Sequence, residues 1–179
     1  MSWHMIPIIG LLVLSCADRD MTRESTRMQF FDIAHLIDSL PASRSLNVLK
    51  TIMVDGVQEE KRLAGYDFHR DIEGFENYTI NKPALYDKYE VDSIMDDNGA
   101  LSTLVYTGLD EDLKVQKMEV TYDGSSPRSI SLKLKTDSFL EDVEMDIQWN
   151  INTDYQVVKR EKRIFGKEHQ HEIRVTVQS

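Results

Sequence analysis

From Val143 to Ile151 the residues alternate without a break: Val143, Met145, Ile147, Trp149 and Ile151 are apolar, while Glu144, Asp146, Gln148 and Asn150 between them are polar. Side chains point to opposite sides of a strand in turn, so this segment has one dry face and one wet face. The same period recurs at Ile130, Leu132 and Leu134, set against Ser131, Lys133 and Lys135, and again at Ile173, Val175 and Val177. Turn signals separate the runs. Residues 46–54 lead into Asp55-Gly56, residues 86–95 end at Asp96-Asp97-Asn98-Gly99 and return over 100–107, and residues 113–122 meet Asp123-Gly124. Such dipeptides are the strongest local hairpin signals, because tight two-residue turns need positive φ. No helical pattern interrupts the strands after Tyr86, so they form an antiparallel meander. About eight strands sharing one apolar face twist and curl. The expected fold class is α+β and β-dominated, a strongly curved antiparallel meander or half-open barrel.

Something must cover the dry face of that sheet, and two segments have helical spacing. Residues 27–40 read RMQFFDIAHLIDSL, with Phe30, Ile33, Ala34 and Ile37 at i, i+3, i+4 and i+7. They form one apolar stripe, and Pro41 stops the helix. Residues 68–78 form a second, shorter helix capped by Asp67, with Ile72 and Phe75 on its buried side. These positions read most simply as core. A body of residues 27–179 makes one domain of ordinary size.

The amino terminus has a separate logic. Residues 1–15 carry no Asp, Glu, Lys or Arg, and residues 6–14 read IPIIGLLVL. A helix needs about 20 apolar residues to cross a bilayer, so this run is too short to span, but it has the length of a secretory-signal core. It ends at Val13-Leu14-Ser15-Cys16, and polar Ala17-Asp18-Arg19-Asp20 follows. This arrangement resembles the lipobox of bacterial lipoproteins. The resemblance implies a signal peptide over 1–15, acyl chains on Cys16, a tether over 16–26 and a palmitate-type membrane anchor. The stretch before the run departs from the pattern, since it has only His4 where signals carry Lys or Arg. Asp18 and Asp20 sit near the cysteine and Ala17 directly follows it, which favours the outer membrane by the same resemblance.

The block from Asp71 to Asp92, DIEGFENYTINKPALYDKYEVD, is similar to a segment of small Bacteroidota-type envelope lipoproteins. In these an amphipathic helix leads into an Ile-Asn-Lys-Pro-Ala turn and a strand opening Tyr-x-Val. They share the Phe-Phe-Asp-Ile helix and the late hairpins, so the likeness spans most of residues 28–179. It implies an address and an architecture and carries no activity. By analogy of fold alone, the plan also looks like the lipoprotein-carrier fold, in which a curved sheet wraps a helix and holds acyl chains.

Charge narrows the partners. The formal net charge is −10 over 179 residues, which argues against nucleic acid and against electrostatic adsorption on anionic lipid. With Cys16 as the single cysteine there is no internal disulfide, and lipidation would consume its thiol. Catalytic signatures are missing: Gly124-Ser125-Ser126-Pro127 lacks the second glycine of a nucleophile elbow, and the glycines are scattered through turns. His169 and His171 share a strand face, the geometry of a chelate, but two ligands do not make a zinc site. His35 and His69 have weaker claims. Asp110-Glu111-Asp112 and Asp96-Asp97 lack the later Glu of a calcium loop. Asn77-Tyr78-Thr79 is a glycosylation sequon only in a eukaryotic route. Lys159-Arg160-Glu161-Lys162-Arg163 reads as an exposed edge strand.

The expected function is that of a non-enzymatic, membrane-anchored envelope lipoprotein without cofactor or metal. On one reading Phe30, Ile33, Ile37, Met145, Ile147 and Trp149 line a site for an apolar ligand such as lipid. On the other the body is a structural or accessory subunit docking on an outer-membrane protein complex. A third reading, an unrecognised enzyme, has no residue pair at usable spacing behind it.

Overall fold

Among the described residues, hydrogen-bonded ladders tie nine strands into one antiparallel sheet. The computed structural model describes residues 30–41 and 45–178, so the proposed signal peptide, Cys16 and the tether lie outside the described residues. The strands are β1 (Ser45–Val54), β2 (Val57–Asp67), β3 (Tyr89–Met95), β4 (Leu101–Gly108), β5 (Val115–Asp123), β6 (Ser126–Asp137), β7 (Glu141–Asn150), β8 (Asp154–Arg163) and β9 (His169–Val177). Their order is β2-β1-β9-β8-β7-β6-β5-β4-β3, so the amino-terminal hairpin is laid against the last strand and the sheet stays open between β2 and β3. The expectation of about eight strands is one short.

The tight turn at Asp55-Gly56 has φ of 49° and 85°, the doubly positive conformation that suits right-twisted hairpin strands. Asp67 caps the second helix as expected, its side chain accepting from the Arg70 N–H, and α2 covers Phe68–Glu73 before tightening into a 3-10 turn over Gly74–Tyr78. Ile72 and Phe75 are buried. The first helix is shorter than its pattern: α1 covers Ile33–Ser39, and Asp32 caps it by accepting from the His35 N–H. An internal Asp outcompetes the preceding turn here, because its carboxylate satisfies an orphan amide. Residues 27–29 of the expected helix lie outside the described residues. Strand β3 begins at Tyr89, not Tyr86, because Pro83–Leu85 forms a 3-10 turn first.

Register explains the core. Directly paired residues share a face, and one row runs Val91, Tyr106, Met118, Leu132, Ile147, Val157, Ile173 and Ile52 across eight strands. A second row runs Leu104, Val120, Ile130, Trp149, Tyr155, Val175 and Lys50. Ile33 and Ile37 of α1, Phe68 and Ile72 of α2, and Phe75 pack on these rows to form one cluster. The opposite face is polar, with ion pairs and hydrogen bonds such as Arg160–Asp146 at 2.8 Å and Gln156–Glu172 at 2.8 Å.

The basic run at 159–163 is not an edge strand. It belongs to β8, paired on both sides by β7 and β9. Its charges are accommodated because Arg160 pairs with Asp146, Lys159 with Glu161, and Arg163 with Glu141. The true edges are β2, guarded by Glu59, Glu60, Lys61 and Arg62, and β3.

Candidate functional site

Three places on the described residues carry more than routine packing. The first is the helix-covered face. Phe30 sits between Tyr86, Tyr89 and Tyr106 with ring centroids 5.2, 6.0 and 5.3 Å away, and the Phe31 N–H donates to the Tyr106 hydroxyl at 3.0 Å. Trp149 is met by Phe75 at 5.9 Å, and Tyr155 by Phe68 at 5.5 Å. Of the six residues expected to line an apolar site, Phe30, Ile33, Ile37, Ile147 and Trp149 meet in this cluster, with Ile147 at 2% and Trp149 at 0% exposure. Met145 is only partly buried and lies at the border, where the Tyr78 hydroxyl approaches its Sδ at 3.8 Å. Beyond it the Val91–Ile52 row fades from full burial at Met118 to 38% exposure at Ile52, because on β8, β9 and β1 the helices cover the opposite end, where Tyr155, Val175 and Val48 are buried.

The second place was not foreseen from the sequence. The Asp71 carboxylate accepts from the hydroxyls of both Tyr66 and Tyr155, and the Lys50 ammonium lies 3.8 Å away while donating to Tyr66 at 2.9 Å. These residues come from α2, β2, β8 and β1, so no local spacing announces them. Burial first, then the neighbouring carboxylate, raises the pKa of both phenols, Tyr155 far above the phenol range. Phenols held this firmly in the protonated state are donors that anchor α2 to the sheet; they cannot act as bases near neutral pH.

Two segments quoted for the lipoprotein resemblance meet nearby. The second carboxylate oxygen of Asp32 accepts from Asn81 Nδ2 at 3.2 Å, and Asn81 Oδ1 accepts from the Tyr86 hydroxyl at 3.1 Å. The Ile80-Asn81-Lys82-Pro83 turn therefore holds the cap of α1. His69 ties the two helices in the same way, with Nε2 3.3 Å from the Ile37 carbonyl and Nδ1 3.3 Å from Glu73.

The third place is one end of the sheet, where the turns β1–β2, β4–β5, β6–β7 and β8–β9 gather. His169 Nδ1 lies 2.8 Å from Asp55 there, and Asp55 also accepts from the Gln170 N–H at 2.9 Å. That hydrogen bond to His169, reinforced by the amide, holds the Asp55 carboxyl below its usual range. His171 belongs to the row of Val54 and Lys159. Among the described residues no cluster of three or more His, Cys, Asp or Glu has metal-site geometry.

No protein-family model, curated protein or solved structure matches the chain.

Proposed function

We propose that this chain is an envelope lipoprotein, held at the outer membrane by acyl chains on Cys16, whose body is a non-enzymatic accessory subunit docking on an outer-membrane protein. The half-open barrel is its frame: α1 and α2 close one half of the inner face and leave both sheet edges outside. The observation that carries the docking reading is the contrast between those edges. Strand β2 shields its edge with charge, whereas β3 has an edge unpaired among the described residues, along which Val91, Ile94 and Met95 stay exposed at 43, 53 and 56%. An unpaired edge with apolar side chains accepts a strand from a partner, the backbone supplying affinity and the side chains specificity.

The test is to purify the protein from its own membrane, read acyl groups on Cys16 by intact mass, and map cross-links to the co-purifying subunit. The expected result is cross-links on β3 that vanish in Val91→Lys/Ile94→Lys while the fold persists. Cross-links confined to β2 or to the turns overturn the docking site, and an unacylated Cys16 overturns the anchor.

One observation favours a second reading. The strip Val157, Ile173, Ile52 and Val54 continues the dry rows past the helices, beside Met145. A lipid chain lying along it would cover apolar surface that the protein itself leaves open. A retained lipid of defined mass in the same experiment, lost on Ile173→Asp, selects this reading.

A further inference from the structure

The five most exposed large apolar side chains among the described residues are Phe165, Phe139, Val57, Leu140 and Leu109, at 92, 88, 76, 67 and 63%. Phe165, Phe139, Leu140 and Leu109 lie in turns at one end of the sheet, and Val57 opens β2 at that same end. Register fixes this: Glu141 pairs with Arg163, so the β6–β7 turn bearing Phe139 and Leu140 sits beside the β8–β9 turn bearing Ile164 and Phe165. The Ile164 N–H donates to the Leu140 carbonyl at 3.1 Å, which locks the two turns together. Ser138 stiffens the first of them, its Oγ accepting from the Glu141 N–H at 3.1 Å. Two phenylalanines, a leucine and an isoleucine thus project side by side from a held base.

We propose that these two turns insert into the interfacial layer of a lipid bilayer and set the domain end-on to it. Three observations select a bilayer over a protein partner. The side chains stand on convex tips, which suit a deformable medium and have no groove of their own. The loop reads Lys162-Arg163-Ile164-Phe165-Gly166-Lys167, a basic–apolar–basic order in which Lys162 and Lys167 reach headgroup phosphates while the apolar pair goes deeper and Arg163 is held by Glu141. The third is where the chain enters the fold. Phe30 packs against Tyr89, which opens β3 opposite Gly108 and donates to the carbonyl of Val115, the first residue of β5; all three mark the same end as the turns. The chain leading back to Cys16 therefore arrives at the end that carries the apolar tips, and its fourteen peptide steps reach no more than about 50 Å. Helix α1 then runs away from that end, since Leu40 and Pro41 line one hollow with Asn152 and Val177 at the other.

Net charge does not supply the affinity. The chain is acidic, and Asp110-Glu111-Asp112 occupy the neighbouring β4–β5 turn, so insertion is centred on the other two turns and proceeds on neutral lipid. The orientation leans on the Cys16 anchor proposed above; the insertion chemistry does not.

The test places one reporter at each end. The full chain carrying Phe165→Trp, and separately Met95→Trp on the opposite side, is mixed with excess phosphatidylcholine vesicles containing brominated acyl chains, and the emission of the unsubstituted chain is subtracted. At Phe165→Trp the expected result is a blue shift and at least a twofold loss of emission, with none at Met95→Trp. In a Cys16→Ser chain, Phe139→Ser/Leu140→Ser/Ile164→Ser/Phe165→Ser is expected to weaken vesicle partition on the order of a hundredfold. An unquenched Phe165→Trp, or equal quenching at both ends, overturns the proposal. Intact mass of the same sample reads the acyl group on Cys16, so a missing anchor and a missing insertion are told apart.

Discussion

If the helix-covered face is a packed core and not a ligand chamber, alanine at Ile147 is costly and alanine at Met145 is not, although the two stand two residues apart on one face. Ile147 is 2% exposed between Leu132 and Val157 in its row, whereas Met145 is partly open. Ile147→Ala removes three buried carbon groups, worth about 2.4 kcal/mol by transfer alone. A cavity that fails to relax adds roughly 1.5 kcal/mol, for a range of about 2.4 to 4 kcal/mol. Met145→Ala, partly solvated already, is expected to cost about 1 kcal/mol. Urea unfolding followed by fluorescence measures both; with a slope of about 2 kcal/mol per molar, the midpoint falls by roughly 1.2 to 2 M for Ile147→Ala and about 0.5 M for Met145→Ala. A cost below about 1 kcal/mol at Ile147 with unchanged slope refutes the reasoning, because it means the wild-type interior already contains the space that the mutation should create.

Trp149 has a buried Nε1 with no hydrogen-bond partner among the described residues, so Trp149→Phe removes that penalty together with some packing and is expected to fall within about 1 kcal/mol of wild type, against roughly 3–5 kcal/mol for Trp149→Ala; thermal unfolding separates them. Asp71→Ala strands two phenols, so a double-mutant cycle with Tyr155→Phe is expected to return a coupling of about 1 kcal/mol or more, and additivity would show that the three groups do not act together. Burial pushes the Tyr89 pKa up to about 12, so the unfolded phenol ionises first as pH rises past 10. Stability is then expected to fall by roughly 1.4 kcal/mol per pH unit for this residue and its share to level off near 12, which phenolate absorbance and unfolding curves check, with Tyr89→Phe lowering the slope by that amount while the other raised tyrosines keep theirs. At the acid end, Asp55 has a depressed pKa, so its contribution is present above the unfolded value near 3.9 and lost as pH falls through the folded value. The readout is faster exchange of the Gln170 amide in acid, absent in Asp55→Asn.

The parts of this fold that were legible in the sequence are those written in a short period. Ile130, Leu132 and Leu134 against Ser131 and Lys133 dictate a strand and its dry face, and Asp55-Gly56 dictates a turn, because each depends only on neighbours along the chain. The Asp67 cap and the buried Ile72 and Phe75 were legible for the same reason. The start of α1 was misplaced because the apolar stripe runs back through Phe30, and the stripe does not reveal that Asp32 will turn its carboxylate onto the His35 amide. The basic run at 159–163 misled because alternating charge looks like an edge until register supplies Asp146 and Glu141 as partners. Lys50, Tyr66, Asp71 and Tyr155 were out of reach, since Asp71 and Tyr155 are 84 residues apart and meet only through the sheet order.

That same sheet order divides the molecule along its strands. In the Trp149 row, far from the clustered turns, aromatic and helical side chains take up the inner face, and a partner entering there would have to displace Phe75 and Tyr155. Two rows further along, the row from Val54 through His171 and Lys159 to Met145 is met by Tyr78 at its Met145 end, and the Lys159–Glu161 ion pair takes the place of aromatic contacts. Phe139, Leu140, Ile164 and Phe165 at that end have no cover among the described residues, and they sit where the chain from Cys16 enters. A binding role for this protein is thus far easier to reconcile with its rim and edges than with its interior, and substitutions at Phe139, Phe165 and Ile94 should change what it attaches to while leaving its unfolding free energy within about 0.5 kcal/mol of wild type.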